Sequence, residues 1–143
     1  MTVKAVLARK GYDIVAIEPS ATLAAAAKLL AERRIGAALV LGVEGRVAGI
    51  LSERDIVRAL AERGAAVLEE RVDHVMTRKV FTCTESDTVA QVMEQMTAGK
   101  FRHVPGVEEG RLVGIISIGD VVKYRLHEIE DESNALREYI ATA

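Results

Sequence analysis

The chain has 143 residues, of which 50% are hydrophobic, and it carries a formal net charge of −2. This length allows one ordinary domain or two very small ones, so any internal halves would have to share a core. The apolar content argues against a disordered chain, and the near-balanced charge argues against a general surface for nucleic acids.

The first half of the chain is predicted to hold a strand, a helix, two strands and a second helix. Residues Val3–Lys10 form a helical turn or two before Gly11, and a short strand follows at Asp13–Ile17. A polar cap region then leads into an amphipathic helix that ends near Gly36. The core-facing stripe of this helix has i, i+3, i+4, i+7 spacing and consists of Leu23, Ala26, Ala27 and Leu30.

Two strands and a short turn come next, at Ala37–Leu41 and Arg46–Leu51, and the second helix is predicted to begin at Ser52. A linker occupies Glu69–Arg78 before the second half begins.

The second half is predicted to follow the same order. It begins with a strand at Val80–Cys83, whose cysteine is expected to be a small buried residue, with a redox role as the alternative. The helix that follows has the stripe Val89, Val92, Met93 and Met96 and ends at Gly99, placed as a C-terminal helix glycine. The later elements are strands Arg102–Val107 and Arg111–Ile116, a helix from Ser117, and a long acidic tail helix over Tyr124–Ile140.

The two halves are copies of one another in sequence. Residues 45–58 (GRVAGILSERDIVR) match residues 110–123 (GRLVGIISIGDVVK), so that Gly49 corresponds to Gly114. The helix stripes also match, with Leu23 corresponding to Val89, and the one-residue change in spacing is absorbed by the turns between the strands. Such self-similarity predicts a strand, helix, strand, strand, helix unit that occurs twice.

A repeated string, Gly-apolar-apolar-Ser-x-x-Asp, ends a strand and begins a helix in each half, at Gly49–Asp55 and Gly114–Asp120. The N-terminus of a helix offers unpaired N–H donors that favour a phosphate, and the serine adds a hydroxyl. The glycine lets a ligand or a neighbouring strand approach the backbone. The aspartate would repel a phosphate but could accept both hydroxyls of a ribose, so the sugar and the phosphate would occupy different ends of a pocket.

The same Ser-x-x-Asp pattern is a helix capping box, which needs no ligand. Either copy alone is better explained as a cap, but two copies at the same junction favour a functional role. With these residues the chain resembles the CBS domain family, named after cystathionine beta-synthase, from about Val3 to Tyr124.

This resemblance implies an α+β fold of two βαββα CBS repeats packed about a pseudo-twofold axis. Residues 1–71 would form the first repeat with the N-terminal helical segment, and residues 72–143 the second repeat with the C-terminal helix. Similar proteins bind AMP, ATP or related adenosyl ligands in two clefts to which both repeats contribute. AMP is the first ligand expected here, with ADP, ATP or NAD(H) as alternatives, and no catalytic cofactor is implied.

The resemblance also implies ligand contacts residue by residue. One cleft would use Asp120 for the ribose, Ser117, Gly119, Arg102 and His103 for the phosphate, and Ile35 with Glu18 around the base. The other cleft would use Asp55, Ser52 and Arg54, with Thr84 and Phe101 near the base. Gly36 and Ala37 stand where the second repeat has Arg102 and His103, so Asp120 marks the better nucleotide candidate. Glu18 replaces the small hydroxylated residue often found at its position, whereas Thr84 fits that pattern.

Other classes of site are less well supported by the residues. His103 could be a phosphate donor, a satisfied partly buried histidine or a metal ligand, and metal binding is disfavoured because no neighbouring residue has ligand spacing. Ser52 and Ser117 lack a neighbouring base, so we predict that the protein is not an enzyme. A single cysteine excludes an internal disulfide.

The predicted function is an adenine-nucleotide-binding sensor that regulates an unidentified partner through a change in conformation or dimer geometry. A ligand-free structural or dimerisation module is the alternative. Similar CBS pairs commonly form homodimers through helices such as Leu23–Leu30 and Ile56–Leu60. Without an apolar run of about 20 residues or a signal-peptide core, a cytoplasmic protein with no membrane contact is expected.

Overall fold

A computed structural model of the chain describes residues 1–11 and 14–142. The elements that follow one another are α1 (Val3–Lys10), β1 (Ala16–Ile17), α2 (Leu23–Arg33), β2 (Ala37–Leu41), β3 (Val47–Ser52), α3 (Glu53–Arg63), α4 (Val89–Gly99), β4 (His103–Glu108), β5 (Arg111–Ser117) and α5 (Ile118–Thr142). Short 3-10 turns occur at Val43–Gly45, Ala65–Glu69 and Val72–His74. No helix among the described residues is long and apolar enough to cross a membrane.

The chain divides into two compact units whose boundaries do not follow chain order. The first-repeat unit comprises Asp13–Phe81 and Glu109–Leu112, and the second-repeat unit comprises Met1–Tyr12, Thr82–Glu108 and Val113–Ala143. Helix α1 was expected to accompany the first repeat, next to which it lies in sequence. Its packing partners are instead those of the second repeat, because Val3, Val6 and Leu7 are buried in that core.

The first-repeat unit is built on a three-stranded sheet of order β1-β2-β3. Strand β1 runs parallel to β2 and β3 runs antiparallel to it, with Ala37 opposite Ser52. The predicted stripe of α2 is confirmed: Leu23, Ala26 and Leu30 are buried, and Ala27 packs against the same core. Strand β1 is shorter than the predicted Asp13–Ile17, and Asp13 lies outside the described residues.

The second-repeat unit has a two-stranded sheet, β4-β5, that packs with α1, α4 and α5. The stripe of α4 is confirmed as well, with Val89, Val92 and Met96 buried and Met93 packed against them. The helices predicted from Ser117 and over Tyr124–Ile140 are one continuous helix, α5, of 25 residues.

The predicted strand at Val80–Cys83 is wrong, because among the described residues of that segment only Cys83 pairs, in an isolated parallel bridge to Gly106. The Cys83 N–H donates to the Pro105 carbonyl at 2.9 Å, and its own carbonyl accepts from Val107 N–H at 2.8 Å. Burial of Cys83 is confirmed, and desolvation raises the pKa of its thiol to about 12. A thiol that stays protonated at neutral pH is a poor nucleophile, which fits a packing role.

Helix α4 ends at Gly99 as predicted and α2 ends near Gly36, but the left-handed residue that follows each helix is not a glycine. Helix α2 ends at Arg33, and Arg34 rather than Gly36 adopts the left-handed conformation, with φ 54°. Helix α4 includes Gly99, and Lys100 is the left-handed residue, with φ 58°. Gly99 also makes room for a ring, since a Cβ there would lie 2.1 Å from Cε1 of Phe101 and the ring would have to shift.

The linker packs on the first repeat in the same way that the N-terminal segment packs on the second repeat. The first N–H of α2, at Leu23, donates to the Glu70 carbonyl, and the first N–H of α4, at Val89, donates to the Met1 carbonyl, each at 2.9 Å. Val72 and Val3 follow these carbonyls and are fully buried in their respective units. Each repeat is therefore completed by the segment of chain that precedes the other one.

Candidate functional site

The corner between β5 and α5 holds Asp120 in a reciprocal cap with Ser117. The Ser117 N–H donates to Oδ2 of Asp120 at 2.9 Å, and the Ser117 hydroxyl donates to the same oxygen at 3.0 Å. In return the Asp120 N–H donates to Oγ of Ser117 at 3.2 Å. The predicted cap therefore forms, and it fixes the carboxylate at the start of the helix.

Lys10, the last residue of α1, is a third contact of this corner. Its Nζ lies 2.6 Å from Oδ2 of Asp120 and donates to the Ile115 carbonyl at 2.9 Å. Burial raises the pKa of Asp120, but the hydrogen bonds from Lys10 and Ser117 outweigh it and hold that pKa below its usual value. Oδ2 thus accepts three hydrogen bonds, whereas Oδ1 accepts none from the residues that the structure describes.

The sequence analysis missed Lys10 because it lies far from the repeated string. The spacing Val3-x-x-x-Leu7 matches Val72-x-x-x-Met76 in the linker. An apolar pair four residues apart occurs in any amphipathic helix, so this match alone does not place α1 on the second repeat.

The corresponding corner of the first repeat, between β3 and α3, is more closed. Ser52 and Asp55 form the same reciprocal cap, with N···O distances of 3.0 and 3.2 Å. The Thr77 hydroxyl donates to Oδ1 of Asp55 at 3.2 Å, so both carboxylate oxygens accept hydrogen bonds from the protein. Asp55 is 8% exposed and is the one charged residue that is buried among the described residues.

The two aspartates are therefore not equivalent. Asp55 is buried, accepts from the Thr77 hydroxyl and has Nη1 of Arg58 3.9 Å from its Oδ1, while Asp120 contacts the Lys10 ammonium group at 2.6 Å and keeps one oxygen without a described donor. The sequence predicted unequal corners because of Arg102 and His103. The segments that complete the repeats add a second difference, because the linker brings Thr77 to Asp55 and the N-terminal segment brings Lys10 to Asp120.

The first helical N–H of each corner already donates to the carbonyl of the residue just before β2 or β4. Ile118 N–H donates to the Arg102 carbonyl at 2.8 Å, and Glu53 N–H donates to the Gly36 carbonyl at 2.9 Å. Arg102 and Gly36 therefore hold equivalent positions in the two repeats, as the alignment of the two halves predicts. Among the described residues, the N–H of Gly119 in the second corner has no acceptor.

Protein atoms lie against the motif glycine in both units, in the space that a Cβ would occupy. A Cβ at Gly49 would lie 2.7 Å from the Thr77 carbonyl oxygen and 2.8 Å from Sδ of Met76. A Cβ at Gly114 would lie 2.5 Å from Cδ2 of Leu7. The sequence predicted a ligand or a neighbouring strand beside this glycine, and the structure places the linker beside Gly49 and helix α1 beside Gly114.

The remaining predicted site residues lie as follows. In the first-repeat unit, Glu18 and Arg54 are exposed and Ile35 packs against the core. In the second-repeat unit, Arg102 is exposed, His103 begins β4, Phe101 packs against the core, and the Thr84 hydroxyl lies 3.1 Å from that of Ser86. The grouping of Ile35 and Glu18 with Asp120, and of Thr84 and Phe101 with Asp55, combines residues of the two units and stays a prediction. Within the described ranges, no three His, Cys, Asp or Glu side chains cluster as metal ligands would.

Two repeats with matching strand-to-helix corners define a tandem module, and comparison with known families identifies its kind. The family model described as CBS domain matches residues 3–62 and again residues 72–127. The chain therefore belongs to the CBS domain family, as its resemblance predicted.

Curated relatives are longer than this chain. It is 34% identical over 119 residues to the mitochondrial CBS domain-containing protein CBSX3 of Arabidopsis thaliana, covering 80% of this chain and 58% of that protein. It is 36% identical over 108 residues to an uncharacterized 17.7 kDa protein of Acidianus ambivalens, covering 75% and 64%. The chain thus spans less than two thirds of either relative. Because CBSX3 is mitochondrial, the cytoplasmic location stays a prediction.

Solved structures confirm the α+β fold. The CBS-domain protein ATU1752 of Agrobacterium tumefaciens is 50% identical, with a TM-score of 0.85, over 87% of this chain and 99% of that one. PAE2072 of Pyrobaculum aerophilum, solved with AMP, is 30% identical with a TM-score of 0.74, over 84% and 89%. The CBS pair of MJ0100, solved with 5'-methylthioadenosine and S-adenosyl-L-methionine, is 26% identical with a TM-score of 0.79, over 90% and 98%.

Proposed function

We propose that this chain is a regulatory module that binds an adenosyl ligand, with AMP foremost, at the corner formed by Ser117 and Asp120. The observation that carries the proposal is a carboxylate that its own cap holds in place while Oδ1 accepts no hydrogen bond from a described residue. Relatives solved with AMP and with methylthioadenosine and S-adenosylmethionine support the ligand class.

The hydrogen bonds already made by the two carboxylate oxygens of Asp120 indicate how the ligand would be held. One ribose hydroxyl donates to Oδ1 of Asp120. Oδ2 already accepts three hydrogen bonds, so a second ribose hydroxyl replaces the ammonium group of Lys10 there. The N–H of Gly119, together with the cations Arg102 and Lys10, supplies donors for the phosphate.

The corner at Asp55 is proposed to be the weaker site. Its carboxylate is buried, and both oxygens accept hydrogen bonds from Ser52 and Thr77. A ligand would have to break these bonds before it gained its own, so one ligand per chain is expected to bind tightly.

A regulatory role fits the chemistry of the corner better than catalysis does. The Ser117 hydroxyl donates to Asp120, which resembles a nucleophile beside a base. However, a carboxylate with a lowered pKa is a weak base at neutral pH and does not activate a hydroxyl. Ligand binding would therefore act by shifting conformation or assembly.

A thermal-unfolding panel tests the proposal. AMP, ATP, 5'-methylthioadenosine, S-adenosylmethionine and NAD are compared with GMP as the guanine control. A ligand at 100 times its dissociation constant stabilises the fold by about 2.7 kcal/mol, which raises the Tm of a chain of this size by roughly 8 °C. An adenosyl ligand should give this shift and GMP should not, whereas no shift with any adenosyl ligand would favour the ligand-free structural module.

Replacing Lys10 with methionine is expected to weaken AMP binding about tenfold and adenosine binding much less. Without the ammonium group, the charge of Asp120 is no longer offset and repels the phosphate, while a neutral nucleoside is unaffected by that repulsion. Isothermal titration calorimetry of both ligands measures the difference. Lys4→Met is the matched control, because Lys4 is an exposed lysine of the same helix. Equal losses for AMP and adenosine would contradict a role for Lys10 toward the phosphate.

A further inference from the structure

Helix α5 extends well past the core on which it packs. Its buried residues, Val121 and Tyr124, lie in its first two turns, and every described residue from 129 to 142 is exposed. A helix of that length is only marginally stable in water when nothing packs against it. Packing against a partner would therefore stabilise the far end of α5 as a helix.

A continuous apolar stripe runs along the exposed side of this helix. It consists of Val122, Leu126, Ile129, Leu136 and Ile140, which are between 47% and 66% exposed. The spacings alternate between four and three residues, with Ser133 at the one polar position. This is the a and d pattern of a two-stranded coiled coil, and we call these residues, with Ser133, the α5 stripe.

We propose that the α5 stripe pairs with the same stripe of a second copy of this chain, as a parallel two-stranded coiled coil. A heptad stripe is self-complementary, because each of its side chains fits between four residues of an identical helix. The inference does not rest on the proposed function, since no residue of the stripe belongs to the Asp120 corner.

The charges that flank the stripe select the parallel arrangement. Lys123, Glu130 and Arg137 occupy one flank, and Arg125 with Glu132 the other. In a parallel pair each residue of the second flank faces the residue five positions on in the other copy. Arg125 then faces Glu130 and Glu132 faces Arg137, so every such contact joins opposite charges.

An antiparallel pair that used the whole stripe would bring like charges together. Glu130 and Glu132 would each face their own counterparts, and Lys123 would face Arg137. Arg125 also donates to Glu128 of its own helix at 2.8 Å. The Glu132 and Arg137 contact is therefore the cleaner one to test.

This surface differs from the helices expected to form the dimer. Leu23 and Leu30 of α2, and Ile56 of α3, are buried in the core of their own unit. These three side chains are used within the monomer, and Val57 of α3 is the one large apolar residue that is exposed, at 64%, among the described residues of these two helices, whereas five apolar residues of the α5 stripe are exposed.

Charge reversal followed by analytical ultracentrifugation tests both the surface and its orientation. The wild-type chain should sediment as a dimer at twice its 15.5 kDa mass. Glu132→Arg should weaken dimerisation about tenfold, because two symmetric attractions become repulsions. The double variant Glu132→Arg with Arg137→Glu should restore it. A monomeric wild type, or a dimer unaffected by the single reversal, would overturn the proposal.

Cysteine cross-linking gives an independent readout. In a Cys83→Ala background, Ile129→Cys places a thiol on the stripe, and Asp131→Cys places one on the opposite side of the helix. A parallel pair brings position 129 against its own copy, so mild oxidation should cross-link most of the Ile129→Cys chains and few of the Asp131→Cys chains. Equal, low cross-linking of both variants would rule out the parallel pair.

Discussion

Asp120→Ala is expected to weaken binding of AMP or the best adenosyl ligand about 100-fold. The variant removes the acceptor of the ribose hydroxyls, and hydrogen bonds to a charged group are each worth about 1.5–3 kcal/mol. Titration calorimetry with the ligand chosen from the unfolding panel measures the loss. Because the cap with Ser117 is also lost, thermal stability should fall by about 1 kcal/mol while the fold is kept.

Two control variants separate this expectation from a general loss of structure. Asp131→Ala removes an exposed acidic side chain from the same helix and should leave binding unchanged. Asp55→Asn tests the other corner and should change affinity less than Asp120→Ala. If Asp55→Asn abolished binding and Asp120→Ala did not, the assignment of the stronger site would be reversed. If neither variant changed affinity, ribose binding by these aspartates would be wrong.

Gly49→Ala is expected to lower the free energy of unfolding by about 3 kcal/mol, at the upper end of the range for overpacked sites. The added Cβ would lie 2.7 Å from the backbone carbonyl oxygen of Thr77 and 2.8 Å from Sδ of Met76. A backbone carbonyl cannot rotate away as a side-chain tip can, and Thr77 N–H and C=O both bond Ile50 at 2.9 Å. Relief therefore requires the linker to move off β3.

Urea denaturation followed by circular dichroism measures this loss, and two further glycines calibrate it. Gly42→Ala should change stability by less than about 0.5 kcal/mol, because the nearest atom to its Cβ, Cβ of Ala48, is 3.7 Å away. Gly114→Ala meets only the side chain of Leu7 and should cost less than Gly49→Ala, and its cost should be smaller in a Leu7→Ala background than in the wild-type chain. Equal stabilities for Gly49→Ala and Gly42→Ala would show that the close approach at Gly49 is not a constraint.

If the expectations for Asp120→Ala and Gly49→Ala both hold, the residues of the repeated string have two separate roles. Its glycine allows the completing segment to pack on the strand, and its serine and aspartate cap the helix. At the Asp120 corner the same segment also delivers Lys10 to the carboxylate. Stability and ligand affinity would then depend on the same short stretch of chain through different residues.

The stripes of α2 and α4, the strand pairs and the two caps at Ser52 and Ser117 can be predicted from residues a few positions apart, through a periodicity or a short motif. The repeat is visible because the same local patterns occur twice. The family assignment followed from the same local patterns.

Long-range packing places α1 on the second repeat and brings Lys10 to Asp120, 110 positions away. Packing also places Arg34 and Lys100, rather than nearby glycines, in the left-handed conformation after α2 and α4, and makes α5 one unbroken helix whose stripe stays exposed. These features depend on which surfaces meet across the chain. A local pattern shows that a face is apolar or that a group is charged, but the partner is chosen by packing.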